Sequence, residues 1–492
     1  MASATAKKRL TDKISCRQVL NFMVILGFMF NYMLRVNLTI AIVEMVEDDE
    51  SNSTMMVEGT NHTQPIPYEN EGTKFHWDKY AQNNILGSFF WGYILTELPG
   101  GRLSEIIGAK RVFGGGMLAA SLITLVTPAA CHMGYITVVV LRCLLGFFLG
   151  ATWPSIPPMA AKWIPPMERS KFIANMMASS LGAAITMPVC GFLIAQWGWE
   201  SVFYITGVVG VIWSIGWFFF IYDSPAQHPR ISIEERMDIE TKIEEGSGNR
   251  GTRKPSRVPW RAILASAPVW AIIVTHGCSV FGYFTVVNQL PTYMKEVLHF
   301  NVKKNGLLSS LPYLGKYAMA IMASYLADRL RRSGKLSTTV TRKSFTTFAV
   351  FTPGLLMILQ ALFGDDPTIS VTIFTCSLFF NGAVTAGYLA NGLDIAPNFS
   401  GTIFGMANTL SSLGGWISTF MVATLTHENH TFDQWRYVFW ILVVVYTIGA
   451  LVFLLFGSGE LQPWNSEKEP PKSQEMQPLK GVSDKEKETA LP

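Results

Sequence analysis

The sequence predicts an all-α polytopic membrane protein, with twelve transmembrane helices arranged as two six-helix bundles. Three observations carry this. The 492 residues are 49% hydrophobic and only 15% charged, with the charges gathered in a few loops. The apolar runs approach the ~20 residues a helix needs to cross a bilayer. A polar stretch in mid-chain leaves six such runs on each side.

In chain order the spans read Val19 to Val43, Ala81 to Gly100, Val112 to Ala130, Tyr135 to Ile156, Phe172 to Gln196 and Val202 to Tyr222. After the polar stretch come Ile263 to Leu290, Gly306 to Ala327, Ser344 to Phe363, Thr368 to Asn391, Gly401 to Leu425 and Tyr437 to Phe456. An even count puts both termini on one side. Lys7, Lys8, Arg9, Lys13 and Arg17 precede the first span, Arg102, Lys110 and Arg111 follow the second, and Arg329, Arg331, Arg332 and Lys335 follow the eighth. Lys and Arg in short flanks mark the cytosolic face, so these segments are cytosolic.

The loop after the first span carries Glu47, Asp48, Asp49 and Glu50, then the sequons at Asn52 and Asn61. A third sequon at Asn429 lies between spans eleven and twelve, which the count also places outside, so Asn52, Asn61 and Asn429 are expected glycosylation sites. The matches at Asn37, within a span, and Asn398, on the cytosolic side, read as chance. The first apolar run is too long for the h-region of a cleaved leader and reads as a signal-anchor. The six cysteines lie mostly in spans, which predicts neither a disulfide nor a metal site.

The expected organisation is a cytosolic tail over 1–18, a first bundle over 19–222 with a glycosylated outside loop at 44–80, a cytosolic linker over 223–262, a second bundle over 263–456, and a disordered cytosolic tail over 457–492. Ile233-Glu234-Glu235-Arg236 predicts a short helix in the linker.

The two halves echo one another. Gly101, Glu105, Gly108, Lys110 and Arg111 form a turn after span two; Ser324, Asp328, Arg329 and further basic residues form its counterpart after span eight. In each, a small residue opens the turn, an acid follows four residues later and basic residues close it. Paired bundles with such turns at equivalent places describe the major facilitator architecture, which works by alternating access.

Arg35 sits inside the first span and Arg142 inside the fourth. A guanidinium in hydrocarbon costs several kcal/mol and stays charged, so each must face protein or a wet cavity. Arg35 lies about eight residues from the outer end of its helix and Arg142 about seven, so at ~1.5 Å per residue both sit roughly 10 Å below the surface. Equal depth permits joint binding of one anion, for which the planar fork of Arg is suited.

Leu34-Arg35-Val36-Asn37-Leu38, Gly87 to Tyr93, Pro165-Pro166-Met167-Glu168-Arg169-Ser170, Leu393-Asp394-Ile395-Ala396-Pro397 and Gly459 to Trp464 resemble the anion/cation symporter family of major facilitators. That family includes sialin, the vesicular glutamate transporters and the sodium-phosphate cotransporters. Leu290 to Glu296 and Ser309 to Gly315 look most like its sialin branch. The resemblance implies that Arg35 and Arg142 hold the carboxylate or phosphate of the substrate.

It also exposes departures. Where those relatives carry an acid in span four, seven residues after the arginine, this chain has Leu149; the glutamate transporters' span-two histidine and span-seven arginine correspond to Leu86 and Ser279. The missing acid favours Na⁺ over H⁺ as the coupling ion, and Leu86 and Ser279 argue against a glutamate carrier. His276 and Lys316 fall near mid-membrane, where each joins the substrate site or makes a structural contact. Tyr32, Asn288 and Asn381 line the path or tie helices together. The aromatic run Trp213 to Phe220 reads as lipid-facing surface.

No nucleotide loop, metal-ligand cluster or nucleophile-base pair suggests an enzyme, and no cofactor or nucleic-acid partner is expected. The sequence therefore predicts a monomeric symporter of organic or inorganic anions in the plasma, lysosomal or vesicular membrane, coupled to Na⁺ or H⁺.

Overall fold

The computed structural model describes residues 15–46, 74–77, 79–247, 252–253, 257–296, 302–426 and 432–468. The sequons at Asn52, Asn61 and Asn429 lie outside the described residues.

The first half crosses as α1 (Cys16–Met45), α2 (Lys79–Ile107), α3 (Ala109–Met133), the pair α4 (Tyr135–Gly150) and α5 (Thr152–Trp163), the pair α6 (Arg169–Ala174) and α7 (Ala178–Trp197), and α8 (Trp199–Phe220). The linker contributes α9 (Ile233–Ser247) and α10 (Trp260–Ala265). The second half crosses as α11 (Ala267–Glu296), α12 (Val302–Arg332), α13 (Thr338–Phe363), the pair α14 (Pro367–Asn381) and α15 (Tyr388–Ile395), α16 (Ser400–Thr426) and α17 (Phe432–Phe456). The fourth and tenth crossings, equivalent by the repeat, are both broken: one at Ala151, the other by a 3₁₀ turn over Gly382–Thr385.

Among the described residues, nine crossings are apolar enough over their length to span a membrane. α2, α12 and α16 complete the twelve, and each carries buried polar groups: Glu97, Lys316, and Asn408 with Ser411 and Ser412. Each also exposes apolar side chains on another face, such as Leu95, Met322 and Phe420. The halves meet where α16 packs on α2 and α5, and where α12 packs on α6 and α7.

The linker helix serves the first crossing. Glu235 accepts from the Cys16 and Arg17 amides at 3.1 and 3.0 Å, satisfying donors that the start of α1 would otherwise leave open. A carboxylate there also complements the helix dipole.

Two expectations are corrected. The run Trp213 to Phe220 is split by the helical period: Phe219 and Phe220 are exposed, but Trp213 and Trp217 are buried, stacked on one another at 5.2 Å, with Trp217 4.9 Å from Phe113. Burial also finds a partner for the Trp217 indole, which donates to the Lys110 carbonyl at 3.0 Å. The segment after α17 is ordered through Lys468. Asn465 is fully buried and bonds Asn398 twice at 3.0 Å; Asn391 donates to the Ser458 carbonyl, and Glu467–Lys468 pairs with Thr252–Arg253. Polarity alone misread this stretch, because its groups are satisfied by the exposed backbone at the cytosolic ends of the helices.

Candidate functional site

Between the halves lies a cavity lined by side chains of both. Arg35 of α1 projects into it. Its guanidinium carbon lies 5.0 to 5.7 Å from the ring centroids of Tyr32, Phe89, Phe90, Tyr93 and Phe284, an aromatic surround that favours a cation without neutralising it. Among the described residues no carboxylate pairs with it.

Arg142 of α4 is level with Arg35 but is not part of the cavity lining. It is buried, and its Nη2 donates to the Arg35 backbone carbonyl at 3.1 Å while Nε has no partner. Arg142 contacts the main chain that carries Arg35.

Lys316 of α12 and His276 of α11 line the same void. The Lys316 ammonium sits 3.6 Å from the Tyr283 ring centroid, a cation–π contact and not an ion pair. His276 has Asn408 Oδ1 2.8 Å from Nε2 and the Tyr388 hydroxyl 3.3 Å from Nδ1. A neutral ring satisfies both by donating to Asn408 and accepting from Tyr388. Tyr32 lines the cavity; Asn381 does too, tied to Ser279 at 3.1 Å. The Asn288 side chain lies outside the described residues.

The sequence reading overlooked Glu97. This residue of α2 is 1% exposed and lines the void; Oε1 accepts from the Ser412 hydroxyl at 3.1 Å and Oε2 has no partner. The cavity thus holds a carboxyl group that the span-four comparison did not consider.

At the cytosolic end, the two echoed turns do one job twice. Glu105 lies in the last turn of α2, which continues as helix to Ile107 through the turn expected at Gly101, and accepts from the Thr402 amide at 2.8 Å, three residues into α16 of the other half. Asp328, at the end of α12, accepts from the Lys171 amide at 2.9 Å, three residues into α6 of the first half. Each acid thus caps an unsatisfied helix start across the interface and meets its positive dipole end. Gly101 and Gly401 allow the backbones to touch there, since a Cβ on either would strike the other's carbonyl. Gly108 adopts φ 101° beside Asp223, whose carboxylate takes the Lys110 amide at 2.8 Å.

The basic residues of these turns divide. Arg102 holds Glu105 at 2.7 Å, whereas Arg111 and Arg329 are exposed. In the second turn it is Arg331 that is buried, donating to the Pro166 carbonyl at 3.0 Å and lying 3.4 Å from Asp394. Arg342, fully buried, bonds Asp394 at 2.6 Å and reaches Ser170 of the first half at 2.7 Å. Arg169 donates in the opposite direction, to the Leu393 carbonyl at 2.7 Å. Sequence flagged Arg169 and Asp394 only as family-like motifs; Arg342 lies at the start of an apolar run and gave no signal.

Residues 24–419 match the description Major Facilitator Superfamily. The chain belongs to the Major Facilitator Superfamily. It is 37% identical to human sialin over 92% of this chain and 91% of that protein. It is also 37% identical to zebrafish (Danio rerio) vesicular glutamate transporter 3, over 89% of this chain and 72% of that protein. Among solved structures, the proton:xylose symporter XylE superposes with a TM-score of 0.64 at 14% identity, covering 90% of this chain and 98% of that one. That likeness bears on fold alone. The superfamily member is a multi-pass membrane transporter related to sialin and the vesicular glutamate transporters, which bears out the fold and family read from the sequence.

Proposed function

We propose that this facilitator is a cation-coupled carrier of small organic or inorganic anions, working by alternating access from a lysosomal, vesicular or plasma membrane, as a monomer and without enzymatic activity. One observation carries the reading: Arg35 presents to the cavity a permanent positive charge with no carboxylate ion-paired to it among the described residues, and Lys316 is a second cation on the wall. A half-buried cation that no carboxylate among the described residues ion-pairs is a place for an anion, and its aromatic surround limits the water that would compete.

The vesicular glutamate transporter among the relatives supports a carboxylate as substrate, since glutamate is one. The cross-half contacts at the cytosolic end support a carrier over a channel, because they must break before anything passes. Counter-flow into proteoliposomes tests this with labelled sialic acid, glutamate and phosphate: at least one should exchange, and Arg35→Ala should abolish it. Conductance without exchange, or full exchange in the variant, refutes the reading.

A further inference from the structure

We propose that Glu97 is the site of the coupling cation, and that the cation is a proton carried on Oε2. The inference rests on the anion-carrier reading above and adds the residue and ion that energise it.

Three observations support it. Glu97 is buried and lines the cavity, with one carboxylate oxygen bonded and the other without a partner, so the ionised form leaves a buried charge half satisfied, whereas the acid carries no charge. Its partner Ser412 belongs to the opposite half, so the state of the carboxyl group is sensed across the interface that must part during transport. Arg35 and Lys316 share the cavity with it, so an ionised Glu97 and a bound anion compete for the same positive charge.

Among the described residues lining the cavity, no other acid appears. Arg35 and Tyr32 face the cavity from α1, Tyr93 from α2, His276 and Tyr283 from α11, Lys316 from α12 and Tyr388 from α15; α5 contributes Trp153, and α16 contributes only Asn408, Ser411 and Ser412. His276, the other candidate, already has both ring nitrogens satisfied when neutral. A proton from water on the non-cytosolic side adds to Oε2 and removes its negative charge, leaving the cavity's positive charge to the anion. After the halves exchange orientation the anion departs, the O–H bond breaks and the proton leaves to cytosolic water, restoring the carboxylate beside Arg35.

Full-length protein in Na⁺-free proteoliposomes tests this, with counter-flow and pH-gradient-driven accumulation of the same labelled anion measured side by side. Wild type should accumulate the anion on the gradient. In Glu97→Gln the ratio of accumulation to counter-flow should fall at least tenfold, and the pH dependence of uptake should flatten. Ser412→Ala, which keeps the carboxyl group, should shift the midpoint of the pH profile. Accumulation by Glu97→Gln at the wild-type ratio overturns the inference, as does an unmoved pH profile in Ser412→Ala. Wild-type counter-flow accompanied by accumulation on a Na⁺ gradient alone also overturns it, whereas absence of counter-flow in wild type sinks the carrier reading itself.

Discussion

Asp394→Asn probes the contacts that hold the cytosolic ends of the two halves together. Asp394 is the shared counter-charge of two buried arginines, Arg342 at 2.6 Å and Arg331 at 3.4 Å, and both arginines reach across to the first half at Ser170 and Pro166. The amide keeps the shape and removes the charge, leaving two buried guanidinium groups short of compensation. Breaking one partner of a buried pair costs about 3–5 kcal/mol. If that cost falls on the closed arrangement and is relieved when the ends part into water, opening becomes favoured by about 10²- to 10³-fold, at 1.4 kcal/mol per decade. The amides of Lys171 and Thr402 report this directly, because each lies in a first helical turn and is held only by a carboxylate of the other half. Hydrogen exchange in nanodiscs should show both segments exchanging faster by that factor, while α3, remote from the interface, keeps its protection. Unchanged exchange at Lys171 and Thr402 in a folded Asp394→Asn protein would refute the assignment, and uniform loss of protection including α3 would mean the fold was lost instead.

Three further outcomes are expected. Arg35→Ala should lower counter-flow at least about 100-fold, since two charge-assisted hydrogen bonds at about 1.5–3 kcal/mol each are removed, and Arg35→Lys should recover little without the bidentate fork; Arg142→Ala should act more weakly, by raising KM, as suits a residue bonded to the Arg35 main chain. Glycan mapping should find Asn52, Asn61 and Asn429 modified and Asn398 bare, and an occupied Asn398 would contradict the topology. Truncation after Phe456 should lower the melting temperature, because Asn398, Asn391 and the Ile395 carbonyl lose their partners; an unchanged melting curve would show the segment adds nothing.

The fold was legible because its signals are local. Apolar length, basic flanks and the echoed turns each occupy a few consecutive residues, and Glu105 and Asp328 proved to do equivalent work across the interface. Arg35 was legible for the same reason, a permanent charge inside an apolar run. Trp213 and Trp217 were not, because a run of aromatics gives composition without saying which side of the helix faces lipid. Arg342 was not, because it opens α13 next to Lys343 and reads as one more basic flank until α15 brings Asp394 against it.

Glu97 shows the same limit where it matters most. In the sequence it stands four residues before Gly101 and five before Arg102, so it reads as the cytosolic border of its span. What moves it into the interior is α16, which packs along α2 and covers that border with Ser412. The Na⁺ expectation followed from looking for a membrane acid at one position, on span four, and finding Leu149, which is buried in the core. A proton carrier, however, needs only a carboxyl group that meets the substrate cavity and changes its surroundings as the halves move, and no particular helix has to supply it. Introducing Leu149→Glu into Glu97→Gln asks whether position or mere presence of the acid decides coupling. Leu149 is outside the cavity lining, so the double variant should not regain accumulation on a pH gradient; recovery would show that an acid on α4 serves as well, and that the cavity location of Glu97 is incidental.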